Sequence, residues 1–176
     1  NALTRWQEAG FVEKIRNSLY RFSGRPVSGD AELFFIANRI YAPSYISLQS
    51  ALSWHGFIPE GVFTVTSVAT LKTQYFSTPV GNFAYRKIKP ALFFGYHLES
   101  FGAFRFKIAD PAKALLDLLY LSPNLDSEGH FHELRLNFQE LDEKFDATIF
   151  EQYLAAFKSK ALETRAKDFL KFLSKP

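Results

Sequence analysis

The spacing of hydrophobic residues along the chain alternates between a helical period and a strand period. Between residues 28 and 56 the hydrophobic positions lie three and four apart, which is typical of helices with one buried face. Two helices are predicted there, the first capped by Ser28 or Asp30 and the second capped by Ser47. Their buried faces consist of Leu33, Ile36, Ala37 and Ile40, and of Leu48, Ala51, Leu52 and His55. Pro43 ends the first helix, and Gly56 ends the second.

Residues 62–108 show a period of two, which is the pattern of half-buried strands. It is clearest where Phe104, Phe106 and Ile108 alternate with Arg105 and Lys107. Similar runs predict strands at residues 62–66, 75–78, 83–88 and 92–96, with turns at 79–81 and 99–102. Because these strands follow one another through short links, we expect a largely antiparallel sheet.

Helices are again predicted after residue 109. Asp110 is placed to cap a helix that begins at Pro111. The buried stripe of this helix is Ala112, Leu115, Leu116 and Leu119. Residues 124–151 are weakly patterned, with one strand predicted at 134–138. Two closing helices follow, with buried faces formed by Ile149, Tyr153, Leu154 and Phe157, and by Leu162, Ala166, Phe169, Leu170 and Leu173.

The first 25 residues have the parts of a winged helix, namely a helix end, a hairpin and a basic linker. Gly10 ends the helix, and two short strands follow, joined by the tight turn Asn17-Ser18. Strict alternation along the first strand places Lys14 and Arg16 on one face, which gives the hairpin a basic tip. The stretch from Ser23 to Gly29 is rich in Gly, Ser and Pro, as linkers are.

The predicted fold class is therefore α+β. Residues 1–25 form a partial N-terminal winged helix, a helix end plus a β-hairpin wing. Residues 26–176 form a mainly antiparallel sheet with packed helices and a helical C-terminus. Since the chain starts at Asn1 and lacks Met altogether, we expect it to be a fragment or to lack its first segment.

Composition excludes several classes of function. Hydrophobic residues make up 47% and charged residues 22% of the 176 residues, as in ordinary soluble globular proteins. No stretch approaches the roughly 20 apolar residues that a membrane span needs. The absence of Cys excludes disulfides, thiolate metal sites and a cysteine nucleophile. We expect a cytoplasmic protein that does not contact membranes.

The net charge of +3 conceals blocks of opposite sign. Residues 1–25 have five basic and two acidic side chains, a net charge of +3. Residues 124–151 have eight acidic and two basic side chains, a net charge of −6. Residues 152–176 have six basic and two acidic side chains, a net charge of +4. Basic blocks can bind phosphate and acidic blocks can bind basic proteins, but both are also common on solvated faces.

Catalytic chemistry finds little support in the sequence. There is no phosphate-binding glycine loop and no Gly-x-Ser-x-Gly elbow. His130 and His132 would share one face of a strand, with Glu128 or Glu133 nearby, but two histidines without a third ligand are a weak metal signal. His55 is expected to be a core histidine with one hydrogen bond. No catalytic residue, metal or cofactor is assigned.

Lys113 and Asp117 offer one further catalytic hypothesis. With Glu99 or Asp110 they could form the carboxylate and lysine set of a nuclease. Their spacing of four residues on a helix also fits an ordinary surface ion pair, and we favour that interpretation.

Binding to nucleic acid has more support. In a winged helix the cations Arg5, Lys14, Arg16, Arg21 and Arg25 would be phosphate contacts. The alternative is a small hairpin packed on the main domain with its charges in water. A second basic surface, formed by Arg165, Lys167 and Lys171, could extend the DNA surface or face an acidic patch of a partner, and a solvated helix face is the alternative.

Four stretches of the sequence resemble the AbiEi-type antitoxins, the predicted transcriptional regulators of abortive-infection (type IV) toxin–antitoxin systems. The resemblance spans residues 3–120. Its motifs are Leu3-x-x-Trp6-x-x-x-Gly10-Phe11-x-x-x-Ile15-Arg16-x-x-Leu19-Tyr20, Pro43-Ser-Tyr-Ile-Ser-Leu-Gln-Ser-Ala-Leu52 with His55-Gly56, Phe93-Phe94-Gly95-Tyr96, and Ile108-Ala109-Asp110-Pro111-Ala112-Lys113-Ala114-Leu115-Leu116-Asp117-Leu118-Leu119-Tyr120.

The resemblance implies an N-terminal winged helix-turn-helix that binds operator DNA and, at residues 26–176, an α/β antitoxin-type domain. It implies a nucleotidyltransferase-like toxin as partner and no catalytic residue. This chain departs from the family at Ser18, where Gly is usual in the wing turn, and at Ala112, where Glu is usual. The recognition helix would begin before Asn1, so no residue present here is assigned to base reading.

The function predicted from the sequence is a non-enzymatic, DNA-binding transcriptional regulator that acts as antitoxin in phage defence. One alternative is a protein-interaction module that neutralises a toxin, directly or indirectly, without binding DNA. Another is a metal-dependent hydrolase.

Overall fold

The computed structural model describes residues 1–59, 61 and 63–175 and shows a mixed α+β architecture, which confirms the predicted fold class. The helices are α1 (Ala2–Glu8), α2 (Asp30–Ile40), α3 (Leu48–Trp54), α4 (Pro111–Leu121), α5 (Glu128–Glu133), α6 (Phe138–Lys144), α7 (Ala147–Phe157) and α8 (Lys160–Leu173). The strands are β1 (Val12–Arg16), β2 (Leu19–Phe22), β3 (Ser44–Ile46), β4 (Thr64–Ala69), β5 (Gln74–Thr78), β6 (Gly81–Lys87), β7 (Tyr96–Phe101) and β8 (Phe104–Ala109).

The six-stranded sheet has the order β5-β6-β4-β3-β8-β7. Pairs β5–β6, β3–β4 and β7–β8 are antiparallel, whereas β4–β6 and β3–β8 are parallel. The strands of the parallel pairs are not consecutive in the chain. Strand β5 lies between β4 and β6, and several elements lie between β3 and β8. Strands β1 and β2 form a separate antiparallel hairpin.

Helix α4 is the centre of the core and is buried around its whole circumference. Its residues from Ala112 to Leu119 are all buried, and it contacts α3, α7, α8 and β8. Helix α2 packs on β3, β4 and β8, where the Phe34 ring meets that of Phe106 edge-on at 5.4 Å between centroids. The Tyr85 hydroxyl donates a hydrogen bond of 2.6 Å to the Ala37 carbonyl and fixes α2 to β6.

The predicted starts of α3 and α4 are confirmed, but the side chains of their cap residues form hydrogen bonds elsewhere. Ser47 and Asp110 occupy the N-cap positions of α3 and α4 without making a side-chain cap bond. Helix α2 is capped by Gly29, not by Ser28 or Asp30. There the Glu32 carboxylate accepts hydrogen bonds from both the amide and the hydroxyl of Ser28, which satisfies the amide just outside the helix.

The strand predicted at 92–96 and the turn predicted at 99–102 are wrong. Pro90 begins a single 3₁₀ turn, and Gly95 has φ +73°, so an extended strand cannot run through these residues. A Cβ at Gly95 would lie 2.9 Å from Cγ of Lys113, so the backbone approaches α4 closely here. Strand β7 therefore starts only at Tyr96 and continues to Phe101, and the turn is centred on Gly102.

The strand predicted at 134–138 is also wrong, because the acidic region folds into helices. Helices α5, α6 and α7 begin with the N-caps Ser127, Asn137 and Asp146, and each cap side chain accepts a backbone hydrogen bond. The strand predicted at 62–66 forms as β4, shifted towards the C-terminus, and Val62 lies outside the described residues.

The hairpin shares the hydrophobic core of the larger unit. Ile15 is 7% exposed and belongs to the main cluster, and Leu19 packs against that cluster. The division of the chain at residue 25 stays a prediction. Across residues 1–59, 61 and 63–175, none of the helices has the length and apolar character needed to span a membrane.

Candidate nucleic-acid interface

The first 25 residues form a helix–hairpin unit whose parts are joined by backbone hydrogen bonds. The Asn1 side chain caps α1 by accepting from the amides of Leu3 and Thr4. After α1 the Phe11 amide donates to the Trp6 carbonyl at 2.9 Å. The Ser23 amide then donates to the Phe11 carbonyl, also at 2.9 Å. The end of the helix is therefore fixed to the open end of the hairpin.

The hairpin turn has the backbone geometry that the sequence indicates, with an irregularity beside it. Ser18 has φ +59°, a left-handed conformation that favours Gly. The pairing register shifts between Lys14 and Arg16, so Ile15 occupies a bulge and is buried. The prediction that Lys14 and Arg16 share one basic face is wrong, because the bulge breaks the alternation between them. Lys14 is exposed, whereas Arg16 is partly buried against the sheet.

Two of the five cations predicted to contact phosphate, Arg16 and Arg21, have close partners within the chain. The Arg16 guanidinium lies 3.5 Å from the centroid of the Phe76 ring on edge strand β5. Arg21 pairs with Glu13 at 3.3 Å and also donates to the Arg25 carbonyl. These contacts hold the hairpin in place, and a cation–π contact of this kind is worth about 0.5–2 kcal/mol.

The remaining cations are available to a ligand. The Arg25 side chain is 62% exposed, and one of its guanidinium nitrogens is 3.7 Å from Oε2 of Glu32, a loose ion pair. Arg5 and Lys14 are exposed and form no ion pair with the residues that the structure describes. The structure therefore offers Arg5, Lys14 and Arg25 as solvent-facing cations around one helix–hairpin unit.

The second predicted basic surface is only partly present. Arg165 is half-buried, and its Nε donates to the Leu119 carbonyl at 3.1 Å, which ties α8 to α4. The prediction that Arg165 lies on an outer face is therefore wrong. Lys167 is exposed, and the exposed Lys171 lies 3.8 Å from Asp168, three residues earlier on the same helix.

The histidines predicted to share a strand face lie on helix α5 instead. Two residues apart on a helix, His130 and His132 point in nearly opposite directions. Nδ1 of His130 is 2.8 Å from the Ser127 hydroxyl, and His132 packs edge-on against the Phe172 ring. Within the described ranges, no group of three or more His, Asp or Glu residues has the arrangement of a metal site.

Lys113 and Asp117 are fully buried, so their interpretation as a surface ion pair is wrong. Nζ of Lys113 is 2.5 Å from Oδ1 of Asp117 and donates to the Tyr45 hydroxyl at 2.8 Å. The hydroxyls of Tyr45 and Ser47 both donate to Oδ2 of Asp117, at 2.9 and 2.8 Å. The four side chains form a closed polar network that joins α4 to β3 and to the start of α3.

Aromatic rings enclose the ammonium of this network. Nζ of Lys113 lies 4.9 Å from the ring centroid of Phe94, 5.2 Å from that of Phe157 and 5.3 Å from that of Tyr45. Burial lowers the pKa of Lys113 and raises that of Asp117, and the charge of each partner opposes that effect on the other. All four side chains of the network are fully buried, so its geometry favours a structural role.

Asp110 and Glu99, the other members of the hypothetical nuclease set, meet at His97. Nδ1 of His97 is 2.7 Å from Asp110, and Nε2 is 3.1 Å from Glu99. The Tyr153 hydroxyl of α7 donates to the second oxygen of Asp110 at 2.8 Å. The carboxylates expected to join Lys113 and Asp117 are thus engaged with a different side chain.

His55 has the environment predicted for it. It is partly buried, and its Nε2 lies 2.8 Å from the Ala109 carbonyl. Burial lowers the pKa of His55, which keeps the ring neutral near pH 7. The prediction of a core histidine with a hydrogen bond is confirmed.

Tyr45 and Ser47 complete the buried network, and sequence reasoning missed both. A signal was present, since apolar residues flank Lys113 and Asp117 on each side and leave α4 without a polar face. Such a helix is buried all round, so its charged residues need buried partners. Comparison with known proteins adds no site residue, because no family model and no curated protein matches this chain.

Proposed function

We propose that this chain is a non-enzymatic, DNA-binding transcriptional regulator that acts as the antitoxin of a type IV toxin–antitoxin system in phage defence. The observation that carries the proposal is the helix–hairpin unit, on which Arg5, Lys14 and Arg25 face solvent. Exposed cations of this kind bind phosphate by releasing the counterions of DNA. They supply affinity that does not depend on base sequence.

The fixed position of the hairpin supports this division of roles. Ile15 is buried in the core and Arg16 stacks on Phe76, so the unit presents its free cations from a rigid support. Arg16 and Arg21 then act as positioning residues. Lys14, the exposed residue beside the bulge, makes the wing contact to the phosphate backbone.

The antitoxin part of the proposal is supported by the resemblance of residues 3–120. Its partner is a nucleotidyltransferase-like toxin, which the α/β unit at residues 26–176 neutralises directly or indirectly. The working compartment is the cytoplasm. Operator binding and neutralisation are then separate properties of two parts of the chain, and a substitution can remove one and leave the other.

The test uses charge reversal on the wing with a matched control. Arg5→Glu and Lys14→Glu are each compared with Lys160→Glu, the same kind of charge change at an exposed position at the start of α8. Binding to the DNA upstream of the gene is measured by fluorescence anisotropy, and neutralisation by growth on co-expression with the toxin. We expect both wing variants to lose DNA binding and keep neutralisation, and Lys160→Glu to keep both. Unchanged DNA binding of Lys14→Glu would refute the wing assignment.

A second function is favoured by the internal partners of Arg16, Arg21 and Arg25. If these contacts are the purpose of the basic residues, the chain is a protein-interaction module that neutralises a toxin without binding DNA. The same experiment distinguishes the two functions, because the unaltered chain would then neutralise the toxin and bind no DNA even at low salt.

A further inference from the structure

Three exposed aromatic side chains surround a cleft on the helix–hairpin unit. Trp6 of α1 is 49% exposed, Phe11 is 65% exposed and Phe22 of β2 is 73% exposed. With Gly10, Ser23 and Gly24 they line a cleft of about 440 Å³. That volume is in the range of roughly 300–1,000 Å³ found for small-ligand sites. Exposed apolar groups that converge on one concave surface mark a binding site more often than scattered ones do.

Backbone hydrogen bonds join the segments that carry these rings. The hydrogen bonds from Phe11 to Trp6 and from Ser23 to Phe11 fix the two walls, the helix end and the hairpin. Gly10 and Gly24, at φ +76° and +78°, form the tight bends on either side. A Cβ added at either glycine would meet nothing within 4 Å, so the space beside the bends is free.

The charge around the cleft identifies the class of ligand. Two exposed cations adjoin residues of the cleft along the chain, since Arg5 precedes Trp6 and Arg25 follows Gly24. A ligand that matches both the rings and the cations combines flat aromatic groups with negative charge. Nucleotides have this combination, and stacking of bases on aromatic side chains beside a basic groove is how single strands are bound.

Base pairing decides which form of nucleic acid fits. In a duplex each base is stacked between its neighbours, so its flat faces cannot reach Trp6 or Phe22. In a single strand, or at an unpaired position, the faces are free to stack on the rings while the phosphates meet the cations. The cleft therefore adds a property that a wing on duplex DNA does not need.

We propose that this aromatic cleft binds unpaired bases of single-stranded nucleic acid, with Trp6 and Phe22 as stacking residues and Arg5 and Arg25 as phosphate contacts. This inference rests on the proposed function, since the same cations serve the duplex backbone. It extends that function to strands whose bases are unpaired, such as an opened operator or a transcript.

The test compares three labelled oligonucleotides of about 15 nucleotides, a length that matches known single-strand sites. They are a thymidine strand, a duplex and an abasic strand that keeps the phosphates and lacks the bases. Binding to the full chain is measured by fluorescence anisotropy at one salt concentration. We expect the thymidine strand to bind at least fivefold more tightly than the abasic strand, because stacking contributes about 5- to 150-fold per base.

Variants of the cleft provide the second arm. Trp6→Ala and Phe22→Ala are each expected to weaken binding of the thymidine strand about 5- to 150-fold and to leave the abasic strand unchanged. Phe63→Ala, at a fully exposed phenylalanine outside the cleft, serves as the matched control and is expected to change neither. Circular dichroism of each variant verifies its fold, and two independent cleft variants keep the test valid if one fails to fold.

Each other outcome overturns the inference in a distinguishable way. If the abasic strand binds as tightly as the thymidine strand, stacking is refuted while phosphate binding by the wing stands. If no oligonucleotide binds, both the inference and the proposed function fail. If sedimentation velocity shows a dimer that Trp6→Ala dissociates, the cleft is a contact between two copies of the chain, and the inference is refuted.

Discussion

The buried network around Lys113 yields the most quantitative prediction. Replacing Asp117 by Leu leaves the Lys113 ammonium without its counterion and removes the acceptor of both the Tyr45 and Ser47 hydroxyls. Breaking a buried ion pair by removing one partner costs about 3–5 kcal/mol. The reverse change, Lys113→Met, leaves the carboxylate with two hydroxyl donors and no cation, so its cost is expected near the lower end of that range.

The double variant separates the ion pair from the burial of the side chains. In Lys113→Met with Asp117→Leu no charge is left in the core, and only the hydroxyls of Tyr45 and Ser47 lose their acceptor. We expect the free energy of unfolding to fall by at least about 2 kcal/mol less than the sum of the two single variants, since residues in one buried network couple strongly. Urea denaturation with a common m-value measures the free energy of unfolding of all four proteins in this double-mutant cycle, namely the wild type, the two single variants and the double variant.

A matched exposed pair provides the control for this cycle. Lys144 and Glu140 on α6 have the same spacing of four residues and the same 2.5 Å distance, but both are partly exposed to solvent. Glu140→Gln is expected to cost less than about 1 kcal/mol, because exposed ion pairs contribute little. Single-variant costs below about 1 kcal/mol at Lys113 and Asp117, or additivity within about 0.5 kcal/mol, would refute the reasoning.

Three further predictions concern stability. Burial lowers the pKa of His97, but its hydrogen bonds to Asp110 and Glu99 and their charges outweigh burial and leave the pKa raised. The stabilisation by protonated His97 is complete below the unfolded-state pKa of about 6.5 and is lost as the pH rises through the folded-state pKa. The free energy of unfolding, measured by urea denaturation, should therefore differ less between wild type and His97→Gln at pH 8.5 than at pH 5.5. Ser18→Gly is expected to raise the free energy of unfolding by about 1 kcal/mol by relieving the left-handed backbone, and an unchanged urea midpoint would contradict this. Glu32→Ala is expected to lower it by about 1–3 kcal/mol, since the Ser28 amide and hydroxyl lose their acceptor, and Asp30→Ala, at an exposed neighbour on the same helix, is the control.

Five helices of the large unit were predictable because their signals are local, namely α2, α3, α4, α7 and α8. The hydrophobic period and the breakers Pro43 and Gly56 lie within the segments that they define. The helix starts at Ser47 and Asp110 were located for the same reason. What their side chains bond to was not predictable, since Asp117 and His97 approach only when distant segments fold together.

The errors in the sheet and the site have the same origin. Gly95 combines a positive φ with a close approach to Lys113, a tertiary contact that alternation in the sequence cannot reveal. The side chain of Ile15 likewise belongs to a core built from distant segments, and the register shift at Ile15 breaks the alternation between Lys14 and Arg16. A charge count identified a basic N-terminal segment, but only the structure shows which of its cations face solvent.

The most direct test of the proposed function is binding of the full-length protein to the DNA upstream of its gene, titrated against salt and compared with scrambled DNA. Contacts from Arg5, Lys14 and Arg25 to three phosphates predict that log K falls with log salt with a slope of about −3 from these residues alone. Specific binding with a slope reduced by about 1 in Lys14→Ala would support the account. Absence of binding at low salt would contradict it and leave the protein-interaction module as the function of this chain.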